Sequence, residues 1–350
     1  MKLLTVTVPC YNSQDYMEKC IQSLLPGGNR VEIIIIDDGS KDNTGKIADE
    51  YARKFPDIVR VIHQENGGIY NGRPYEIFTG KIEEDAMFIP KKIKKGVILK
   101  VVDSDDTLSP DFPKFLDALA ECERQGGVDM VVTNYYYVHS DGDGDRSINY
   151  SAVLPENRIF TWEDTKPFRV YQMLTIHSST FRTEIMRKWE QPLPKHVFYE
   201  DNLMIYQTIP YVRKMYYLNA DLYRYWTGRP DQSVQSAALA KRHADQILVT
   251  ERCFTTCHLD DITEPRLKRY MKHDLFMMLG IAILTTRLNK SAETDAELKK
   301  MWETCMAYDP KWANYFRKRT PLLFVSVPGR VGQEFAGSFY RFANNVVRFN

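Results

Sequence analysis

Apolar and polar positions alternate along the first third of the chain with two different periods. Residues 3–9 set Val6 and Val8 among threonines, a period of two that reads as a strand. Met17, Ile21, Leu24 and Leu25 then recur at helical spacing behind Ser13, which predicts a helix capped by that serine. Residues 31–37 contain Ile33-Ile34-Ile35-Ile36, a β-branched run suited to a strand buried on both faces. A second helix is expected over 43–55, with Ile47, Tyr51 and Phe55 on one stripe. Further strands are expected at 58–63, 96–103 and 129–134. Before the last of these, Ser109-Pro110 opens a helix that turns Phe112, Phe115, Leu116 and Leu119 inward. This β-α-β order predicts an α/β fold, a mostly parallel sheet with helices on both faces.

The middle of the chain, 135–225, is less regular and rich in aromatic residues, and beyond it helices are expected at 238–258, 265–288 and 295–308. Asp141-Gly142-Asp143-Gly144-Asp145 lacks the spacing and the distal glutamate of a calcium loop and reads as a surface turn. The 47 basic and 46 acidic residues leave a net charge of +1, which argues against a dedicated nucleic-acid binder. With 43% hydrophobic and 27% charged residues, disorder and collagen-like architecture are excluded. Lys2 before a short apolar run only faintly resembles a signal peptide, and the longest other apolar stretch, 275–284, is half a membrane span. Six scattered cysteines are expected to be reduced thiols in a cytoplasmic protein. Cys253 and Cys257, with His258, fit no common zinc spacing and read as core cysteines on one helix face.

Chemistry collects where the strands end. In an open parallel sheet ligands bind beyond the carboxyl ends of strands. Three of the expected strands end there in Pro9-Cys10-Tyr11-Asn12, Asp37-Asp38-Gly39-Ser40 and Asp103-Ser104-Asp105-Asp106. Three acids within four residues repel one another unless a cation joins them, and a hard divalent ion, Mg2+ or Mn2+, bridging to a ligand's phosphates is the natural partner. Taken alone, Asp106 or Ser109 also reads as a plain cap for the following helix.

These segments, with Asn66-Gly67-Gly68, Phe198-Tyr199-Glu200-Asp201-Asn202, Tyr223-Arg224-Tyr225-Trp226 and Gly228-Arg229-Pro230-Asp231-Gln232, stand in the order found in family 2 glycosyltransferases, which the chain resembles over roughly residues 3–235. The resemblance implies a bacterial-type, inverting, nucleotide-sugar-dependent enzyme of GT-A fold. It would comprise a catalytic domain over 1–235 and a helical C-terminal region over 236–350. It implies that Pro9, Tyr11 and Asn12 border the nucleotide base, Tyr11 by stacking, and that Asp38 bonds the edge of uracil or a comparable base. Asn66 and Gly67 would complete the donor pocket. Asp105 would lie near the ribose and the metal, with Asp103 and Asp106 completing the metal and diphosphate site. Which acid touches the ion is left open. Asp201 would be the general base. Arg229 and Gln232, in a segment bracketed by Gly and Pro, read as folding over the donor phosphates or as a simple domain-joining turn.

The implied activity is transfer of a hexosyl or N-acetylhexosaminyl group, from a UDP-sugar, to a hydroxyl of a glycan or lipid-linked acceptor in cell-surface polysaccharide synthesis. The alternative is a nucleotide-sugar-binding pseudoenzyme, which the retained acids argue against. One departure is the long connection over 69–95, an insertion at the cleft edge or a surface excursion, whose Lys91-Lys92-Ile93-Lys94-Lys95 reads as a solvated helix end. The C-terminal stretch from Pro321 to Phe349 mixes aromatics with arginines. It reads as a helix packed on the domain or as an interfacial helix at the inner face of an anionic membrane.

Overall fold

A computed structural model of the chain describes residues 2–66, 98–139, 145–169, 172–188, 193–227, 236–289 and 293–347. They pack as two compact units. The first is Met1–Lys166, Leu174–Val197 and Tyr211–Trp226, and the second is Pro167–Met173, Phe198–Pro210 and Thr227–Asn350.

The first unit is built on a sheet whose parallel half follows the expected pattern. Strand β1 (Leu4–Cys10) is buried at every residue, as befits a strand covered on both sides. It runs parallel to β2 (Val31–Asp37), from Leu4 opposite Val31 to Cys10 opposite Asp37. Strand β3 (Val59–His63) extends this on the β2 side, and β4 (Ile98–Val101) lies parallel to β1 on the other. The register brings the segments after β1 and β2 out at one edge, where the Asp38 N–H donates to the Cys10 carbonyl at 2.9 Å.

Beyond β4 the sheet continues antiparallel. It adds β9 (Ser179–Arg182) against β4, then β6 (Met130–His139), β10 (Met215–Thr227) and the short β5 (Thr107–Leu108). Strands β7 (Arg146–Ile148) and β8 (Ile159–Phe160) pair with β6 and β10. The α/β class is as expected, and the strand expected at 129–134 is β6, facing β9 with Val131 opposite Thr180.

Two local expectations give way to other contacts. The first helix spans Met17–Leu24 and buries Met17, Cys20, Ile21 and Leu24, but its N-cap is Tyr16 and no side chain caps it. The Ser13 hydroxyl instead meets Ser104 Oγ at 2.9 Å and accepts the Tyr11 N–H at 3.2 Å, tying the segment after β1 to the one after β4. The helix Phe112–Arg124 buries Phe112, Phe115, Leu116 and Leu119 as expected, yet it opens behind Asp111, two residues later than Ser109-Pro110 suggests.

The second unit is helical. The segment Pro265–Leu288 is one helix with the expected bounds, whereas 238–258 divides into Ser236–Lys241 and His243–Phe254. Cys257 therefore lies past a helix end, half-buried, and all six cysteines are free thiols. Helices Thr294–Tyr308, Pro310–Arg319, Leu322–Val325 and Gly329–Val347 follow.

Gly39, in the turn after β2, has φ +71°, a conformation side-chain-bearing residues adopt only with strain. A Cβ there would lie 2.6 Å from the Asn66 amide nitrogen. Gly39→Ala should therefore lower stability by about 1–3 kcal/mol in urea denaturation. An unchanged midpoint would show that the turn is not constrained as described.

Candidate functional site

The carboxyl ends of β1 and β2 form a polar cradle in the first unit. Asn12 adopts φ +50°, which asparagine tolerates better than most residues. Its Oδ1 accepts the Lys41 N–H at 2.8 Å, while its own N–H donates to Ser40 Oγ at 3.0 Å. Beside it Tyr11 is 41% exposed, and Pro9 is buried in β1 opposite Ile36. Asp38 is buried, with Gln64 Nε2 donating to Oδ1 at 2.6 Å. Asn66 Nδ2 donates to the Asp38 carbonyl at 3.1 Å and to Oδ2 at 3.4 Å. Asn66 thus orients Asp38 as well as lining the cradle. Gly67, Arg229 and Gln232, the 69–95 connection and its lysine cluster lie outside the described residues.

The acids after β4 are not equivalent. Asp106 is fully buried and Asp103 and Asp105 are half-buried. One ligand atom each from Asp103, Asp106 and His177 lies within 4.8 Å of the others. His177 was not legible as a site residue in the sequence; it arrives because β9, which it precedes, is inserted between β4 and β6. Asp106 Oδ2 accepts the Tyr223 hydroxyl at 2.6 Å and Oδ1 accepts the Trp226 N–H at 2.8 Å. The Tyr223 hydroxyl also lies 3.4 Å from Asp103 Oδ2. Strand β10 is therefore bolted to the acidic turn.

The electrostatics of this cluster favour a cation. Burial, reinforced by the charges of Asp105 and Asp103, pushes the Asp106 carboxyl well above its ordinary range, against the two hydrogen bonds that favour the anion. Burial, with Lys100 nearby, pushes the His177 imidazole down to about 3, so at neutral pH it is uncharged and able to ligate. Each carboxylate oxygen keeps acceptor capacity beyond the bonds it already makes. Two carboxylates and an imidazole form an oxygen-and-nitrogen donor set suited to Mn2+ or Mg2+.

Lys100 explains how His177 is held. It is a charged residue inside an apolar strand and is 1% exposed. Its Nζ donates to the carbonyl of His177 at 2.9 Å and to those of Ile176 and Ser179 at 3.4 Å. Three donors meet three acceptors, which fixes the turn that carries the imidazole. Burial still pulls the ammonium down to about 7, with Asp103 opposing the shift. The rings of Tyr223 and Tyr225 pack against His177 at 4.8 and 4.6 Å between centroids.

Asp201 belongs to the second unit. It sits in the first turn of the helix Glu200–Thr208, a position where the helix dipole favours a carboxylate. Tyr199 before it takes φ +69°, and Asn202 Nδ2 donates to Asp201 Oδ1 at 3.2 Å. Burial outweighs the backbone hydrogen bonds and pushes the Asp201 carboxyl up to about 6. The adjacent Glu200 is the more buried of the two in this structure.

Removing the Tyr223 hydroxyl leaves the buried Asp106 carboxyl with one of its two described hydrogen bonds. Tyr223→Phe should therefore cost about 1–3 kcal/mol in urea denaturation at neutral pH. A loss no larger than that of an exposed substitution would mean the β10 contact does not organise the turn.

Comparison with known proteins places this geometry. A sequence profile of glycosyl transferase family 2 matches residues 5–77, covering β1 to β3 and the Asp38 turn. A profile of the NrdJ homologue C-terminal domain matches residues 64–134, a span whose β4 is paired directly to β1. The uncharacterized glycosyltransferase EpsJ of Bacillus subtilis is 31% identical over 208 residues, 59% of this chain and 52% of that protein. The glycosyltransferase GlyG of Streptococcus pneumoniae is 34% identical over 144 residues, 41% of this chain and 42% of that protein. The chain thus spans about half the length of the curated relatives it matches. S. aureus TarS 1–349 in complex with UDP shares the fold, with a TM-score of 0.54 at 16% identity over 91% of this chain and 92% of that one. The motifs at the ends of β1, β2 and β4, the family profile over residues 5–77 and these relatives agree in what the chain is similar to, the family 2 glycosyltransferases.

Proposed function

We propose that the protein is a metal-dependent, inverting glycosyltransferase. It moves a hexosyl or N-acetylhexosaminyl group from a UDP-sugar to a hydroxyl of a glycan or lipid-linked acceptor, in the cytoplasm, for cell-surface polysaccharide. The observation that carries the proposal is the convergence of Asp103, Asp106 and His177 at the end of β4, in a turn tied to the Tyr11 segment by the Ser13–Ser104 contact. UDP as the nucleotide is favoured by the fold likeness to TarS, which was solved with UDP. In this reading residues 1–235 form the catalytic region and 236–350 its helical companion. Arg229 and Gln232 close over the donor phosphates, and Gly67 adjoins the base.

The residues divide the work. Tyr11 stacks on the base, Asp38 accepts from its edge, and Asp105 bonds the ribose. Asp103, Asp106 and His177 would hold a divalent ion, which would supply positive charge against the departing diphosphate. Asp201 takes the proton from the acceptor hydroxyl as that oxygen attacks the sugar from the face opposite the diphosphate.

Calorimetric titration of UDP tests the donor site. Binding should appear with Mn2+, vanish in EDTA and weaken at least about tenfold in Asp103→Asn and His177→Ala, as expected for loss of a metal ligand or its support. Undiminished UDP binding in EDTA would overturn the metal-dependent reading.

Asp201→Asn tests the base. Donor affinity should hold while turnover falls by about 10²–10⁴-fold. Because the Asp201 carboxyl titrates near 6, the wild-type rate should fall as pH drops below about 6 and level off above it. Near-normal turnover in Asp201→Asn, with collapse in Glu200→Gln, would move the role to Glu200. Normal donor binding with no turnover in any of these proteins, on any acceptor supplied, would favour a binding protein without transfer activity.

A further inference from the structure

The last helices of the second unit bury one face and expose another. Leu322, Val325 and Ala336 are buried, while Leu323, Phe324, Val331 and Phe335 are 44–57% exposed. These four make up most of the large hydrophobic residues that are exposed among the described residues, the other two being Tyr11 and Phe198. Phe324 and Phe335 lie side by side, ring centroids 6.0 Å apart, Val331 stands one turn before Phe335 on the same helix, and Leu323 adjoins Phe324 in the chain, so the exposed residues cluster.

The patch is held firmly outward. Arg287, buried in the helix Pro265–Leu288, pairs with Asp295 and donates to the Val327 carbonyl at 3.0 Å. Asp295 in turn accepts the Gly329 N–H at 2.9 Å. A Cβ at residue 332 would lie 1.7 Å from the Val327 carbonyl oxygen, so only glycine lets the last helix start so close to the preceding turn. The expected packing of this segment on the unit is therefore present, but it accounts for one face only.

Charge identifies what the other face meets. Residues 311–350 hold seven basic residues and a single acid, Glu334, for a net charge of +6; the preceding 310 residues hold 40 basic and 45 acidic, for −5. Lys318, Arg319 and Arg330, all exposed, lie within a few residues of Leu323, Phe324 and Val331 in the sequence. Exposed aromatic and aliphatic side chains in a segment rich in lysine and arginine, on an otherwise acidic protein, match the boundary of a bilayer that carries anionic lipid. No helix among the described residues is long and apolar enough to cross a membrane.

We infer that the patch formed by Leu323, Phe324, Val331 and Phe335, together with the exposed Lys318, Arg319 and Arg330 of the same segment, docks the protein on an anionic phospholipid surface. The inference rests on these residues alone and stands independently of the proposed transfer reaction.

Vesicle co-sedimentation of the full chain tests it. The protein should bind vesicles of phosphatidylcholine with about one-third phosphatidylglycerol at least about tenfold more tightly than pure phosphatidylcholine, and lose most of this in 0.5 M salt. Phe324→Ser/Phe335→Ser and Lys318→Glu/Arg319→Glu should each reduce binding about tenfold or more while leaving the thermal unfolding midpoint and UDP binding unchanged. No binding to anionic vesicles would overturn the inference. So would binding that both variants retain, or a concentration-dependent dimer in sedimentation equilibrium that Phe324→Ser/Phe335→Ser abolishes, since the patch would then serve a second copy of the chain.

Discussion

The site depends on the placement of one carboxyl group, that of Asp106. It is fully buried beside two other acids, and such a group resists ionisation unless donors or a cation compensate it. The protein supplies two donors, the Tyr223 hydroxyl and the Trp226 amide, and both come from β10. The antiparallel end of the sheet is thereby fastened to the turn that ends its parallel half. A cation at the same place would complete the compensation, so the fold and the proposed chemistry draw on the same group.

A second buried charge prepares the neighbouring ligand. Lys100 gives its three donors to carbonyls of the 176–179 segment, and this holds His177 against the acids. A buried ammonium is tolerated only when its donors are met, and here all three are. The arrangement works because β9 runs antiparallel between β4 and β6, at the strand where the parallel half of the sheet ends. The candidate metal cluster thus sits on the seam between the two halves.

The parallel half was legible in the chain because its strands are apolar runs, with Ile33–Ile36 the clearest, and because their polar ends fall at one sheet edge. The antiparallel half was not, since element order alone carries no information about a strand inserted out of sequence. His177 followed from that insertion and had no motif of its own. Lys100 did leave a signal: a lysine between Leu99 and Val101 in a buried strand is the kind of exception that marks a structural or functional role. Ser13 misled because a serine ahead of a helical stripe reads as a cap, whereas tertiary contact with Ser104 claims its hydroxyl. Asp106 reads in the sequence as a helix cap, but its carboxylate oxygens instead accept from β10, about 120 residues away in sequence.

Location of the ion by anomalous scattering is the most direct test of this account. Crystals grown with MnCl2 and UDP, measured at the manganese absorption edge, should show one strong peak within coordination distance of Asp103, Asp106 and His177, adjoining the UDP diphosphate. UDP bound in the cradle with no manganese peak, or with the peak held by other residues, would contradict it.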